Sequence, residues 1–431
     1  MRYETLGNFV SLSQGLVVNK STESLFSDKK DDEFVYPLLR ITDFENGNQN
    51  NPSKYVSRNV PQKVVIDERA ILFTRVTCQC FRGFSGVFHN NLFRVELISD
   101  EITEDYLYVV LRSEYVQKQA LKFAASSVVP DLTHDLFKLI QIPVPSIEQQ
   151  KNIANTYLYL QSKIDGNDTI CSDLEAMAKL LYDYWFVQFD FPDENGKPYK
   201  SSGGKMVWNE DLKREIPEGW EVKKLPEVAS LLYGFPLSTE QFGNEGIGVV
   251  RIRDIVYNSI SALTTESVGD EYYTHEGDLL VGMDGNFQMN YWTRNGDVVN
   301  QRIARIRKQL LPIMIIKMQI EPYINAKISR VARSTVGHLG DSDFKDQLIL
   351  VSRNINLQCF DTMLSEIIEL RNENQQLASL RDFLLPMLMN GQVKVGKGDL
   401  SPVVYPTNEA HDDYLAAAEP HKEYDAEGKG V

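Results

Sequence analysis

Two stretches of this 431-residue chain, some 200 residues apart, carry a seam of residues at alternating steps of four and three. In the first, Ile153, Tyr157, Leu160, Ile164, Asn167, Cys171, Leu174, Ala178, Leu181 and Trp185 keep that spacing. In the second, Met363, Ile367, Leu370, Asn374, Leu377, Arg381, Leu384 and Leu388 do the same. Steps averaging 3.5 residues hold one face of an α-helix against a partner helix, which is the pattern of a coiled coil. Each seam is roughly two to three times longer than a helix on a globular surface needs. The chain is therefore expected to hold two long helices packed on each other. Each seam contains one asparagine, Asn167 and Asn374, and a lone polar residue there fixes register and partner at some cost in stability. The bland alternative is a pair of amphipathic helices lying on a globular core, but neither helix is followed by strands that could complete one.

Local signals bound the helices. Pro143 and Pro145 bar an earlier start, and Ser146 with Gln149 three residues on resembles a capping box, so the first helix runs from about Ile147 to Phe186. The second runs from about Asn356 to Met389 and stops before Gly391, a suitable C-cap. Before each helix lie short strand-like runs and turns, among them Leu279-Leu280-Val281-Gly282 followed by Met283-Asp284-Gly285-Asn286, where Asp-Gly signals a hairpin.

Short strings recur in one order. Leu39-Arg40-Ile41-Thr42-Asp43 matches Val250-Arg251-Ile252-Arg253-Asp254 at an offset of 211. Glu68 to Leu72 matches Glu276 to Leu280 at 208, and Phe93-Arg94-Val95 matches Ala304-Arg305-Ile306 at 211. Ser127-Val128 and Leu136-Phe137-Lys138 match Ser334-Thr335 and Asp343-Phe344-Lys345 at 207, and Leu174 to Leu181 matches Leu377 to Leu384 at 203. Matches in one order with a slowly drifting offset mark a duplication. The expected layout is a strand-rich domain over 1–145, a helix over 146–187, a Gly/Pro/Ser-rich linker over 188–215, a second strand-rich domain over 216–352, a helix over 353–392, and an acidic tail over 393–431 expected to be disordered.

The net charge of −15 argues against nucleic acid until its distribution is seen. From Arg294 to Arg333 nine Lys/Arg face two acids, and from Arg40 to Arg94 eight face four. No apolar run is long enough to span a bilayer, and the residues from Met1 lack a signal-peptide core, so a cytoplasmic location is expected, with no membrane partner. Cys78 and Cys80 form a C-x-C pair, but Cys171 and Cys359 lie far off, so no metal site is expected. There is no phosphate-binding G-x-x-x-x-G-K-[ST] string. Asn51-Pro52-Ser53-Lys54-Tyr55 lacks the second proline and adjacent aromatic of an amino-methyltransferase loop. Pro130-Asp131 and Pro192-Asp193 lack the second element of a carboxylate nuclease. His89, His134, His275 and His338 sit singly. No catalytic residues are assigned, and the chain reads as a binding subunit rather than an enzyme.

Specific strings then point to a family. Pro143-Val144-Pro145-Ser146-Ile147-Glu148-Gln149-Gln150-Lys151-Asn152-Ile153-Ala154, Leu180-Leu181-Tyr182-Asp183-Tyr184-Trp185-Phe186 through Pro192, and Ile216-Pro217-Glu218-Gly219-Trp220-Glu221-Val222 carry it. So do Gly277 to Gly285 and Val299-Asn300-Gln301-Arg302-Ile303-Ala304-Arg305-Ile306. Over about residues 1–392 the chain resembles the DNA-specificity subunits of type I restriction–modification systems. It departs from them at Val351 to Asn356, which lacks the Pro-x-Pro and Glu-Gln-Gln entry of the first helix, and at Val128-Val129-Pro130-Asp131, which replaces a more polar loop.

The resemblance implies an α+β protein with two mixed α/β target-recognition domains separated by two long antiparallel coiled-coil helices, a pseudo-twofold duplication. It implies a non-catalytic subunit that reads a bipartite, asymmetric site on double-stranded DNA. A helix of about 33 residues spans about 50 Å, enough to separate two readers by about one turn of B-DNA. Two methyltransferase subunits acting at adenine N6 and restriction/translocase subunits are the implied partners. This chain is expected to hold no cofactor, with S-adenosylmethionine and ATP on those partners. Two alternatives stay open: a stand-alone DNA-binding protein dimerising through its helices, and an interaction protein with no affinity for DNA. Base edges are read by Arg, Lys, Asn and Gln. The candidate DNA-binding residues are Arg40, Thr42, Lys54, Arg75 and Arg82 in the first domain. In the second they are Arg251, Arg253, Asn286, Gln288, Asn290, Arg294 and Arg302. The Arg-x-x-Asp of both halves also reads as an ion pair within each domain.

Overall fold

The computed structural model describes residues 2–42, 52, 54–125, 131–330, 337–353 and 355–393. Asp43, Arg333, the match of Ser127-Val128 with Ser334-Thr335, and the tail beyond Val393 lie outside the described residues. The fold is α+β, with two β-rich units and two long helices. Unit 1 comprises residues 2–163 and 377–393, and unit 2 residues 164–376. No described helix is long and apolar enough to cross a membrane.

Unit 1 contains β1 (Arg2–Thr5), β2 (Val10–Gln14), β3 (Phe26–Ser27), β4 (Phe34–Leu39), β5 (Tyr55–Ser57), β6 (Val65–Ile66), β7 (Ile71–Thr74), β8 (Cys80–Phe81), β9 (Gly86–Phe88), β10 (Leu92–Leu97) and β11 (Gln141–Val144). Helices α1 (Glu104–Arg112) and α2 (Glu114–Ala124) lie between the last two. One sheet has the order β2-β10-β7-β8, a second β3-β5-β4-β9-β6, and β1 pairs with β11. Strand β7, Ile-Leu-Phe-Thr, is buried along its whole length, as a continuous apolar run between turns requires. Its Phe73 meets Phe137 edge to face at 4.9 Å and stacks on Phe93 at 6.0 Å. The side chains of Thr103 and Ser113 accept from the first free amides of α1 and α2. Helix α3 (Ile147–Tyr182) begins in this unit. Ser146 and Gln149 form the reciprocal cap, with Ser146 N donating to Gln149 Oε1 at 3.3 Å and Gln149 N to Ser146 Oγ at 3.4 Å.

Unit 2 contains β12 (Met206–Asn209), β13 (Arg214–Pro217), β14 (Glu221–Lys224), β15 (Ala229–Tyr233), β16 (Phe242–Gly243), β17 (Ile247–Val250), β18 (Leu263–Thr264), β19 (Leu279–Gly282), β20 (Met289–Tyr291), β21 (Val298–Val299), β22 (Ile303–Lys308) and β23 (Leu348–Val351). Its helices include α4 (Ile252–Ile255) and α5 (Ile313–Arg330), and α6 (Gln358–Met389) starts here. The sheets have orders β15-β22-β19-β20 and β16-β18-β17-β21, and β14 pairs with β23.

The units repeat each other down to the register. Ladder β10–β7 pairs Leu92 with Thr74 and Val95 with Ile71; β22–β19 pairs Ile303 with Gly282 and Ile306 with Leu279. The parallel pair β4–β9 joins Leu38 to Val87 and Leu39 to Phe88; β17–β21 joins Val249 to Val298 and Val250 to Val299. Those pairs differ by the sequence offsets of 211 and 208. A strand shifted by one residue would turn its apolar side chains to the wrong face, so the faint sequence repeat preserves what burial demands.

Residues 188–215 read as a linker by composition, yet they fold onto unit 2. Strands β12 and β13 pair, and Phe189 and Phe191 are buried. Phe186, Phe189 and Phe191 surround Trp220 at 5.1, 5.7 and 5.0 Å. The Asp190 carboxylate accepts from the N (2.7 Å) and Oγ (2.6 Å) of Ser201. Averaging over a polar stretch hides two aromatic anchors, Phe189 and Phe191, that pack on one indole.

Within unit 2, α3 and α6 run antiparallel. Cys171 Sγ approaches Ile367 O at 3.7 Å, and Arg371 donates to Glu175 at 2.7 Å. Asn167 Nδ2 donates to Asn374 Oδ1 at 2.9 Å and to Glu373 at 2.8 Å, while Asn374 Nδ2 donates to Asp168 at 2.8 Å. Of the remaining seam residues, Ile164 and Ile367 are buried, and Leu174, Leu181 and Leu370 half-buried. In unit 1, Ile153 and Leu160 are buried, Leu377 and Leu384 half-buried, and Arg381 Nη1 donates to Gln161 at 2.5 Å. A buried amide pair joined by a hydrogen bond and tied on to neighbouring acceptors is costly to break singly. Asn374→Ala is expected to lower the unfolding free energy by about 1–3 kcal/mol. The double replacement of Asn167 and Asn374 by leucine should recover that loss or exceed it, as measured by urea unfolding. A single replacement without effect would show that the pair contributes nothing.

Candidate nucleic-acid interface

In unit 2 three loops are tied into one rim by backbone hydrogen bonds. The loop 283–288 joins β19 to β20, the turn 300–302 joins β21 to β22, and the third segment is 337–339. Met283 N donates to Arg302 O at 2.9 Å, Leu339 N to Met283 O at 2.8 Å, and Gly285 N to Gly337 O at 3.1 Å. The Asp284 carboxylate pairs with His338 Nδ1 at 2.7 Å and lies 3.6 Å from Arg302 Nε. Phe287 takes a left-handed φ of 46° and is buried. That inward ring is a physical reason for the neighbouring Asn286 to be exposed and Gln288 half-buried at the rim. Gln301 and Arg302 are exposed beside them.

Unit 1 repeats this rim with different side chains. Arg75 N donates to Asn91 O at 3.1 Å and Leu132 N to Arg75 O at 3.0 Å. Cys78, with a φ of 53° and fully buried, takes the place of Phe287. His89 N donates to Leu39 O as Asn300 N does to Val250 O. Where unit 2 pairs Asp284 with His338, unit 1 sets the Arg75 guanidinium bidentately against Asp131. Burial and then the charge of Arg40 hold His89 below its ordinary pKa, so its ring is neutral near pH 7.

Both turns need a glycine opposite them. A Cβ on Gly234 would lie 2.1 Å from Asn300 O, and one on Gly15 would lie 2.4 Å from Phe88 O. Gly234→Ala is therefore expected to displace the 300–302 turn and lower DNA affinity at least about ten-fold, with global stability falling by about 1–3 kcal/mol. Titration of labelled target DNA checks this; unchanged affinity would mean that the turn does not touch DNA.

The other candidates are distributed unevenly. Thr42 and Arg253 are exposed, Arg253 within 3.3 Å of Ser261 Oγ. Lys54 is exposed, 3.9 Å from Asp28. Arg40 is half-buried. Arg82 lies over the Tyr108 ring at 4.4 Å and reaches Asp105 at 2.6 Å. Arg251 binds Ser261 and lies 3.6 Å from Asp254, so in the second half the Arg-x-x-Asp is an internal pair. Asn290 donates to Ile255 O and Val256 O at 3.1 and 3.0 Å and accepts from Arg371 at 2.9 Å, which anchors β20 to α4 and α6. Arg294 lies over Trp292 at 5.3 Å and 3.3 Å from Asp297. Much of the basic run from Arg294 is spent internally. Buried Arg305 donates to Glu271 O and Tyr273 O, Arg307 to Asp278, Lys308 to Asp361 and Lys327 to Asp343. The rim instead includes His89, Asn90 and Asn91 in unit 1, and Asn300, Gln301 and His338 in unit 2, none of which stood among the candidates. A signal existed: polar triplets precede β10 and β22 at the repeat offset of 211.

Two copies of one β-rich scaffold each present amide, imidazole and guanidinium groups on a tied set of loops, and such groups are the ones that contact base edges and phosphates. Residues 8–175 match the family model of the type I restriction modification DNA specificity domain. The chain is 25% identical over 372 residues to the type I restriction enzyme MjaIX specificity subunit of Methanocaldococcus jannaschii, covering 79% of this chain and 84% of that one. It is 24% identical over 362 residues to the HindI specificity subunit of Haemophilus influenzae, covering 69% and 76%. A solved type I S subunit from M. genitalium aligns over 92% of this chain and 96% of its own, at 12% identity and a TM-score of 0.49. In these comparisons the chain is similar to the DNA-specificity subunits of type I restriction–modification systems.

Proposed function

We propose that the chain reads a bipartite, asymmetric site on double-stranded DNA, one half with residues 1–145 and the other with residues 216–352. On that site it positions two methyltransferase subunits, which act at adenine N6, and the restriction/translocase subunits. S-adenosylmethionine and ATP belong to those partners, and the complex works in the cytoplasm. The observation that carries this reading is the rim built twice on one register with different side chains: Arg75, Asp131 and the His89 turn in one copy, Asp284, His338 and the Asn300 turn in the other. A shared scaffold would dock on duplex DNA in the same manner twice, and unlike rim residues would favour unlike base sequences. In unit 2 Asn286, Gln288, Asn300, Gln301 and Arg302 are the residues offered to base edges.

Co-expression with the methyltransferase subunit, followed by single-molecule mapping of N6-methyladenine, tests this. A new methylated motif with two unequal halves and a fixed unread gap is expected. A soluble complex that leaves no such motif, or a motif with identical halves, would overturn the reading.

A further inference from the structure

We propose that unit 1 carries a binding site for a small organic acid, a monocarboxylate with an aromatic body, in a cavity lined from β8, α1, α2, α3 and α6. The cavity holds about 750 Å³, within the range of small-molecule sites. Phe81, Tyr115, Tyr157, Leu385 and Met389 contribute its apolar wall, and Arg112 lies among them.

Arg112 is the reason for the acid. It ends α1, where its Nε donates to the Tyr157 hydroxyl and its Nη1 to the Tyr108 hydroxyl, at 2.9 Å each. Its Nη2 forms no hydrogen bond to a described residue. The ionisable groups that act on it are the phenols of Tyr108 and Tyr157 and the Cys80 thiol, all neutral near pH 7. The other charges on the wall cancel in pairs: Lys118 with Glu114 at 2.8 Å, and Arg381 with Asp382 at 2.8 Å. One positive charge is left over. A guanidinium held among neutral groups is incompletely compensated, and a carboxylate accepting from Nη2 completes it.

The duplicated half shows that this charge is peculiar to unit 1. Arg82 lies over the Tyr108 ring at 4.4 Å in unit 1, and Lys317 lies over the Tyr291 ring at 5.0 Å in unit 2. The two pairs are related by an offset of 209 with cation and ring exchanged, which sets α1 against α5. By that offset Arg112 corresponds to Glu321. By the helix offset of 203 Arg381 corresponds to Ala178 and Tyr157 to Phe360. Unit 2 therefore has an acid, a methyl group and a hydrocarbon ring where unit 1 has two guanidinium groups and a phenol.

The aromatic body follows from the same comparison. Leu385 and Met389 correspond to Tyr182 and Phe186, and in unit 2 the Trp220 ring packs on Phe186 at 5.1 Å. A ring bound in unit 1 meets Leu385 and Met389 as that indole meets Phe186, with its carboxylate on Arg112.

The probe is indole-3-propionate, added to the full chain, with its methyl ester as the neutral comparison. Calorimetry is expected to show one saturable site for the acid, with a Kd below about 1 mM, and ester binding at least about ten-fold weaker. Arg112→Gln should weaken the acid to the level of the ester. With the acid at ten times its Kd, hydrogen exchange in β8 and the first turn of α2 should slow about ten-fold. If Arg112→Gln fails to fold, Gln79→Trp decides: it sets an indole on the wall from an exposed position, leaves Arg112 in place, and should weaken the acid at least about ten-fold. Equal binding of acid and ester, or binding that the variant leaves intact, would overturn the inference. So would neither heat nor protection, the result for a cavity that protein already fills.

Discussion

Replacing Asp278 by alanine is expected to destabilise unit 2 by about 3–5 kcal/mol. The carboxylate is buried just before β19. It accepts from Arg307 Nε at 2.7 Å and Nη2 at 2.8 Å, and from His275 N at 2.7 Å. Removing it leaves a partly buried guanidinium without its anion and a backbone donor without its acceptor, and both losses count at full desolvation cost. The exposed pair Lys118–Glu114 is the control: Lys118→Ala should leave the unfolding midpoint where it is. Urea unfolding of the two variants separates a structural cation from a surface one. An Asp278→Ala protein within about 0.5 kcal/mol of the parent would show that Arg307 finds water instead.

The second large effect concerns recognition. Arg302→Ala combined with Asn286→Ala is expected to weaken binding to the specific site by about 2–5 kcal/mol and to relax sequence preference in one half of the site alone. Arg302 is exposed, with its Nε 3.6 Å from Asp284, so its guanidinium is oriented without being consumed. Arg302→Lys should retain the salt dependence of binding while losing discrimination, because an ammonium cannot form the bidentate pair a guanine edge accepts. Binding measured against a library varied in both halves checks this. Equal relaxation of the two halves would contradict the assignment of one half to each unit.

These two variants mark where sequence reasoning stops. Arg302, Arg305 and Arg307 stand in one basic run and look alike as letters. The structure exposes the first, buries the second against Glu271 O and Tyr273 O, and pairs the third with Asp278. Arg305 and Arg307, two apart on β22, share a face of the strand, and which of them meets a carboxylate depends on chain about thirty residues away. Asn290 and Asn286 differ in the same way: the former is held by Ile255, Val256 and Arg371, the latter is exposed at the loop.

What the sequence determined by itself was whatever local periodicity encodes. Alternating steps of four and three placed α3 and α6, Ser146 and Gln149 marked a helix start, and drifting offsets of 211 to 203 exposed the duplication whose strand registers carry the same numbers. Short-range patterns suffice there because a helix face or a strand face is set by residues a few positions apart. Tertiary structure alone decided which polar groups stay available. The turns His89-Asn90-Asn91 and Asn300-Gln301-Arg302 each become part of a rim only because distant backbone groups bond there, Arg75 N to Asn91 O and Leu132 N to Arg75 O in unit 1, Met283 N to Arg302 O and Leu339 N to Met283 O in unit 2. Residues 188–215 fold only because Phe189 and Phe191 find Trp220. A hydrogen bond or a buried ring takes its worth from its partner, and partners far apart in sequence meet only once the chain has folded.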